Sequence, residues 1–160
     1  MRHHGIKHFV FNNLDIGEAD TAIKSRAWSN KWVIAKLAGL ELELSETVHL
    51  LINKGKTFRI ERVPLCYMGG FEQFCTETRK IIKDESYQCI FIEKGRKDVY
   101  VKVDDPSKER RHKGEVCDSC RLNKICAGLG EDYYVVFGDS EIFPVFLDPN
   151  KIIPQVKSDL

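Results

Sequence analysis

EVCDSCRLNKICAGLG, residues 115–130, is the stretch on which the reading of this chain turns. It places Cys117, Cys120 and Cys126 in a C-x2-C-x5-C run, and the tight turn of Cys117-Asp118-Ser119-Cys120 can bring two sulfurs onto one ion or cluster. A fourth cysteine, Cys66, stands about fifty residues upstream in ERVPLCYMGG, residues 61–70. It follows a β-prone run and precedes two glycines, where backbone can come close to a bulky inorganic group. Cys66, Cys117, Cys120 and Cys126 are therefore the expected ligands of one metal centre. Cys75 and Cys89 sit among Phe74 and Phe91 in apolar patterns and read as core thiols. The histidines are poorer ligand candidates, and His112, next to the cysteine run, is the one worth retaining.

The choice of metal follows from spacing. A structural zinc ribbon offers two C-x2-C knuckles, and Cys66 belongs to no second knuckle. A compact three-cysteine run with one remote cysteine suits a 4Fe-4S cluster, so iron–sulfur is favoured and a zinc-stabilised four-cysteine interaction module without redox role is the alternative. Lys113, Arg121 and Lys124 are placed to moderate the negative charge of a thiolate-bound cluster.

Outward from the cysteines the chain reads as α+β. Its 160 residues suffice for an apolar core. The 25 Lys and Arg nearly cancel the 24 Asp and Glu, so nothing in the composition suggests a nucleic-acid-coating surface or a polybasic membrane anchor. No apolar run approaches the ~20 residues that cross a bilayer, and MRHHGIKHFVFNN lacks the pattern of a secretory signal. The expectation is a cytoplasmic protein with neither nucleic-acid nor membrane partner, and six cysteines there point to metal rather than disulfides.

KHFVFN (residues 7–12) reads as a strand, residues 21–37 as an irregular helix, and SETVHLLINKG (45–55) as a second helix capped by Ser45 and closed by Gly55. TFRIERV (57–63) alternates as a strand that Pro64 stops and that delivers Cys66 at its end. A helix is expected over residues 71–84, then a β-hairpin from YQCIFIE and DVYVKVD around Lys94–Lys97. Residues 104–113, DDPSKERRHK, read as a solvated linker. The end of the chain, from residue 133, is broken by Pro144, Pro149 and Pro154 into extended, wrapping pieces.

The order VPLCYMGGFEQ, ETRK, CDSCRLNKICAG, DYYVVFGDSEIFPV resembles the carboxy-terminal part of radical S-adenosylmethionine (radical SAM) enzymes with a Twitch or SPASM-like auxiliary domain. The resemblance covers most of the chain. It implies that residues 1–65 are the last strand and helix units of a partial (β/α)6 barrel, 66–146 a small cysteine-rich auxiliary domain with its β-hairpin, and 147–160 a tail. It places one auxiliary 4Fe-4S cluster on Cys66, Cys117, Cys120 and Cys126, to anchor substrate or relay an electron. A full SPASM motif continues with a cysteine where this chain has Gly130, so one auxiliary cluster is expected rather than two. The C-x3-C-x2-C loop that binds S-adenosylmethionine is absent from the sequence. The chain alone is therefore not expected to cleave that cofactor, which belongs to a full-length parent of oxidoreductase or maturase type, or to a partner protein supplying the amino-terminal half. The substrate, a peptide or a small molecule, is not legible.

Overall fold

A computed structural model describes residues 5–13, 29–83, 87–91, 99–103 and 111–158. Strand β1 (His8–Asn12) lies parallel to β2 (Thr57–Glu61), with Phe9 opposite Phe58 and Phe11 opposite Ile60. Between them in sequence runs helix α1 (Glu41–Asn53), which packs on β2. Parallel neighbours need such a crossover, and a helix is its usual form. In β2 the alternation is literal: Phe58 and Ile60 are buried, and Thr57 is exposed.

The ends of α1 show two kinds of signal. Its amino end is carried by Glu41 and Glu43 in the first turn, where carboxylates favour the helix dipole, and Leu40 caps it without a side-chain hydrogen bond. Ser45 is thus inside the helix rather than its cap: acidic residues start the helix four positions before the hydroxyl. At the carboxyl end Gly55, at φ 59°, lets its own N–H reach Ile52 O at 3.0 Å and the Lys56 N–H reach Leu51 O at 2.9 Å.

Beyond β2, Arg62 turns the chain at φ 62° and Pro64 leads into a 3-10 turn, Leu65–Tyr67, that carries Cys66. Helix α2 (Thr76–Lys83) begins later than expected, since residues 72–74 form a 3-10 turn and Cys75 makes a parallel bridge to Ile60. Strands β3 (Tyr87–Phe91) and β4 (Val99–Val103) pair antiparallel, as a hairpin requires; the turn at 94–97 lies outside the described residues. Of the expected linker, residues 104–110 also lie outside, but Arg111 and His112 form a short strand, β5, paired with β6 (Leu129–Gly130). Helix α3 (Glu131–Phe137) and helix α4 (Ile153–Lys157) replace extended chain in the carboxy-terminal part, the latter with Pro154 in its first turn, where proline loses no helical bond. Of the expected helix over 21–37, residues 21–28 lie outside, and Lys31–Val33 and Leu37–Gly39 are 3-10 turns.

Among the described residues one hydrophobic core joins the β1–α1–β2 region to the cysteine loop and the carboxy-terminal part: Leu37, Val48, Phe58, Ile60, Leu65 and Met68 pack in the same cluster as Leu122, Leu129, Ile152 and Val156. The described residues show a single parallel β–α–β unit, small sheets and no closed barrel. No helix among them is long and apolar enough to cross a membrane.

Candidate metal centre

The 3-10 turn at Leu65–Tyr67 and the run from Lys113 to Leu129 face each other across a small cavity. Its wall contains Cys66, Cys117, Cys120 and Cys126, together with Pro64, Leu65, Ile142 and Phe143. The empty space between these walls is ≈ 360 Å³, including the part open to solvent. The four cysteines chosen by spacing are thus brought to one place, although about fifty residues separate the first from the other three.

The local fold explains how three of them converge. Residues 115–119 form a 3-10 helix that places Cys117, with its N–H bonded to Gly114 O at 2.9 Å. Turns then follow, Asn123 N–H to Cys120 O at 3.1 Å and Cys126 N–H to Leu122 O at 3.0 Å, which fold Cys126 back over the same cavity. Leu122 and Ile125 are buried in the core, so the loop is held from beneath by its own apolar residues. The buried Thr78 hydroxyl on α2 donates to Ile125 O at 2.9 Å, fixing the residue before Cys126.

Electrostatics mark the site as one unit. Burial pushes the Cys66 thiol up to about 12, with the nearby Cys126 and Cys117 sulfurs adding to the rise. Burial likewise raises Cys117 and Cys126, each of which senses Cys120. Lys113, on the cavity wall, opposes the shift at both. Backbone hydrogen bonds at Phe143 favour the anion of Cys66, and those at Leu65 and Gly128 favour the anion of Cys126. Two N–H···S contacts are direct: Gly128 N to Cys126 Sγ at 3.4 Å and Val145 N to Cys120 Sγ at 3.3 Å. Sulfurs that neighbour one another and are raised in this way stay protonated without a cation; a metal's positive charge is what would strip the protons and bind the thiolates.

Spacing distinguishes the kinds of metal. Among the described residues no three His, Cys, Asp or Glu side chains are gathered as a single ion would need them. A zinc tetrahedron with Zn–S of about 2.3 Å draws its sulfurs to within about 4 Å of one another. A cube of irons and sulfides spreads four thiolates farther apart, because each ligates a different iron. Four cysteine sulfurs on the wall of one cavity suit an iron–sulfur cluster in their chemistry.

Other expectations fall differently. Gly69 and Gly70 are exposed, with nothing within 4 Å of where a Cβ would stand, and neither lines the cavity. The glycine that allows close approach is Gly128, at φ +88°, where a Cβ would collide with His112 O. Arg121 reaches Phe146 O at 3.5 Å on the exposed side, and Lys124 is exposed, so among the three cations Lys113 alone lines the cavity. His112 is not a cavity residue: its Nε2 bonds Asp139 at 2.9 Å and its ring stacks on Tyr134 at 3.5 Å. Cys75 is buried beside Glu77 and Val63, off the cavity. Cys89 lies on β3 opposite Val101. Sequence reasoning did not find Phe143 and Val145, whose contributions come from the backbone; the one available signal was Pro144, which interrupts an apolar run beside them.

No family model matches the chain, and no curated protein or solved structure matches it either.

Proposed function

We propose that Cys66, Cys117, Cys120 and Cys126 hold one 4Fe-4S cluster, and that the chain is the auxiliary-cluster portion of a radical S-adenosylmethionine protein. The observation that carries the reading is the convergence of these four cysteines on a single cavity that Cys75, buried and near enough to sense Cys126, does not line. The spacing, one compact three-cysteine run with one remote cysteine and no second C-x2-C knuckle, supports a cluster over zinc. Such a cluster supplies one-electron chemistry or a docking point for substrate. The buried Leu65 and Ile142 would give it an apolar wall, and Lys113 on the same cavity would offset its charge. Four cysteines on four irons leave no iron open, so cleavage of S-adenosylmethionine requires a further, amino-terminal half or partner protein. The parallel β1–α1–β2 unit is of the kind that a (β/α)6 barrel repeats, which is the architecture proposed for that whole.

The test is anaerobic purification followed by iron, sulfide and zinc analysis. The protein is expected to be brown, with about four irons and four sulfides per chain, and to form no 5′-deoxyadenosine from S-adenosylmethionine and dithionite. Cys66→Ser should lose most of the iron, and Cys75→Ser should keep it. Stoichiometric zinc with no sulfide would replace the reading by a structural zinc site on the same four cysteines.

A further inference from the structure

The segment Ile142–Leu147, IFPVFL, does more than cover the core. Ile142 and Phe143 line the cysteine cavity. Val145 is clamped to the cysteine loop in both directions, its N–H donating to Cys120 Sγ at 3.3 Å and its carbonyl accepting from the Arg121 N–H at 2.9 Å. Pro144, between the two residues whose backbones serve Cys66 and Cys120, has no N–H of its own to satisfy.

The segment is held from the core side by a hub at Glu141. The Tyr67 hydroxyl, next in sequence to Cys66, donates to Glu141 O at 2.6 Å, and the Tyr133 hydroxyl donates to the Glu141 carboxylate. Tyr133 in turn accepts the Leu37 N–H at 3.1 Å, and the Tyr67 ring meets Phe143 edge-on at 5.5 Å. A contact supported at this many points has a fixed geometry, which a hydrogen bond must have if it is to bias an electron equilibrium.

Resting on the cluster reading above, we infer that the 142–147 segment sets the reduction potential of the metal centre, with the Val145 N–H on Cys120 as its lever. Reduction adds one electron to the cluster and neither makes nor breaks a bond to substrate. The added negative charge spreads onto the ligand sulfurs, and an N–H pointed at one of them stabilises the reduced form and raises the potential.

The lever can be removed without altering a cysteine. Val145→Pro deletes the N–H, and Val145→Ala retains it. Dithionite titration of the anaerobic protein, followed by the paramagnetic signal of the reduced cluster, should give a more negative midpoint for Val145→Pro and an unchanged one for Val145→Ala. Hydrogen exchange on the wild type supplies a readout independent of any variant: the Val145 amide should exchange at least tenfold more slowly in the loaded protein than in the metal-free one. Iron-loaded wild type with equal midpoints in both variants, or with a Val145 amide that exchanges freely, would overturn this inference alone. An iron-free wild type would overturn the cluster reading, and this inference with it.

Discussion

Gly128 shows how a single residue joins backbone geometry to the proposed chemistry. Its φ of +88° is open to glycine at little cost and strained for any L side chain. An added Cβ would collide with His112 O, a backbone atom of β5 that cannot swing aside as a side-chain tip could. The same residue donates its N–H to Cys126 Sγ, so displacing it moves a ligand's hydrogen bond as well. Gly128→Ala should therefore destabilise the fold by at least about 2 kcal/mol and lower iron content. Gly69→Ala, where nothing stands within 4 Å, should change stability by no more than about 0.5 kcal/mol. Denaturant unfolding and iron analysis of the two variants make the comparison; equal behaviour would show that the β5 approach is not tight in solution.

Among the elements, α2 does the most to tie the cysteine loop to the rest of the fold. Thr78 reaches Ile125 O, and the Glu77 carboxylate accepts both the Arg62 N–H at 2.9 Å, where β2 turns, and the Arg111 guanidinium at 2.9 Å, where β5 begins. The Arg111–Glu77 pair is buried at 6% side-chain exposure on each partner, and Arg111 Nη1 has no hydrogen-bond partner among the described residues. Glu77→Gln leaves that buried cation without its counter-charge and should cost about 3 kcal/mol, read as a lowered denaturation midpoint with unchanged slope. A change below about 0.5 kcal/mol would mean that water reaches the pair.

The same helix shows what could and could not be read from sequence. Strands β1 and β2 were legible because alternation of Phe and Ile has one meaning on a half-buried sheet, and the gathering of Cys117, Cys120 and Cys126 on one cavity because their spacing restricts where a short turn can place them. Position 111 read as solvated linker, since a buried arginine looks like any other in a charge run until its partner, 34 residues away, is placed. The chain from residue 133 read as extended because prolines break it, yet Glu131–Phe137 is helical, with Asp132 and Tyr133 buried and the Tyr133 hydroxyl bonded to Glu141; the prolines all lie beyond this helix and do not bear on it. The two glycines after Cys66 misled for a related reason. Neighbours in sequence stood in for the real neighbour in space, Gly128.

At the scale of the molecule, two systems hold residues 66 and 117–126 together: the apolar core, through Leu65, Leu122 and Leu129, and the proposed metal. They act on different parts. The core reaches from Ile34 to Val156, whereas the cysteine loop enters it only through Leu122 and Ile125 and otherwise rests on turns, Thr78 and the sulfur contacts, with Cys117 and Cys120 only half-buried. A metal bound by Cys66 and the triplet closes a loop of about fifty residues, a constraint worth roughly 4 kcal/mol in chain entropy. Chelation should therefore loosen the chain unevenly. Amides of 117–128 and of the 142–147 segment should exchange at least tenfold faster in the metal-free protein, while those of α1, closed at Gly55 and packed on β2, should be nearly unchanged. Uniform loss of protection would mean that the metal organises the whole fold, as in small domains without a core of their own. Uniform retention would mean that the thiol cavity is peripheral to it, and the proposed cross-link would then have no place in the stability of this chain.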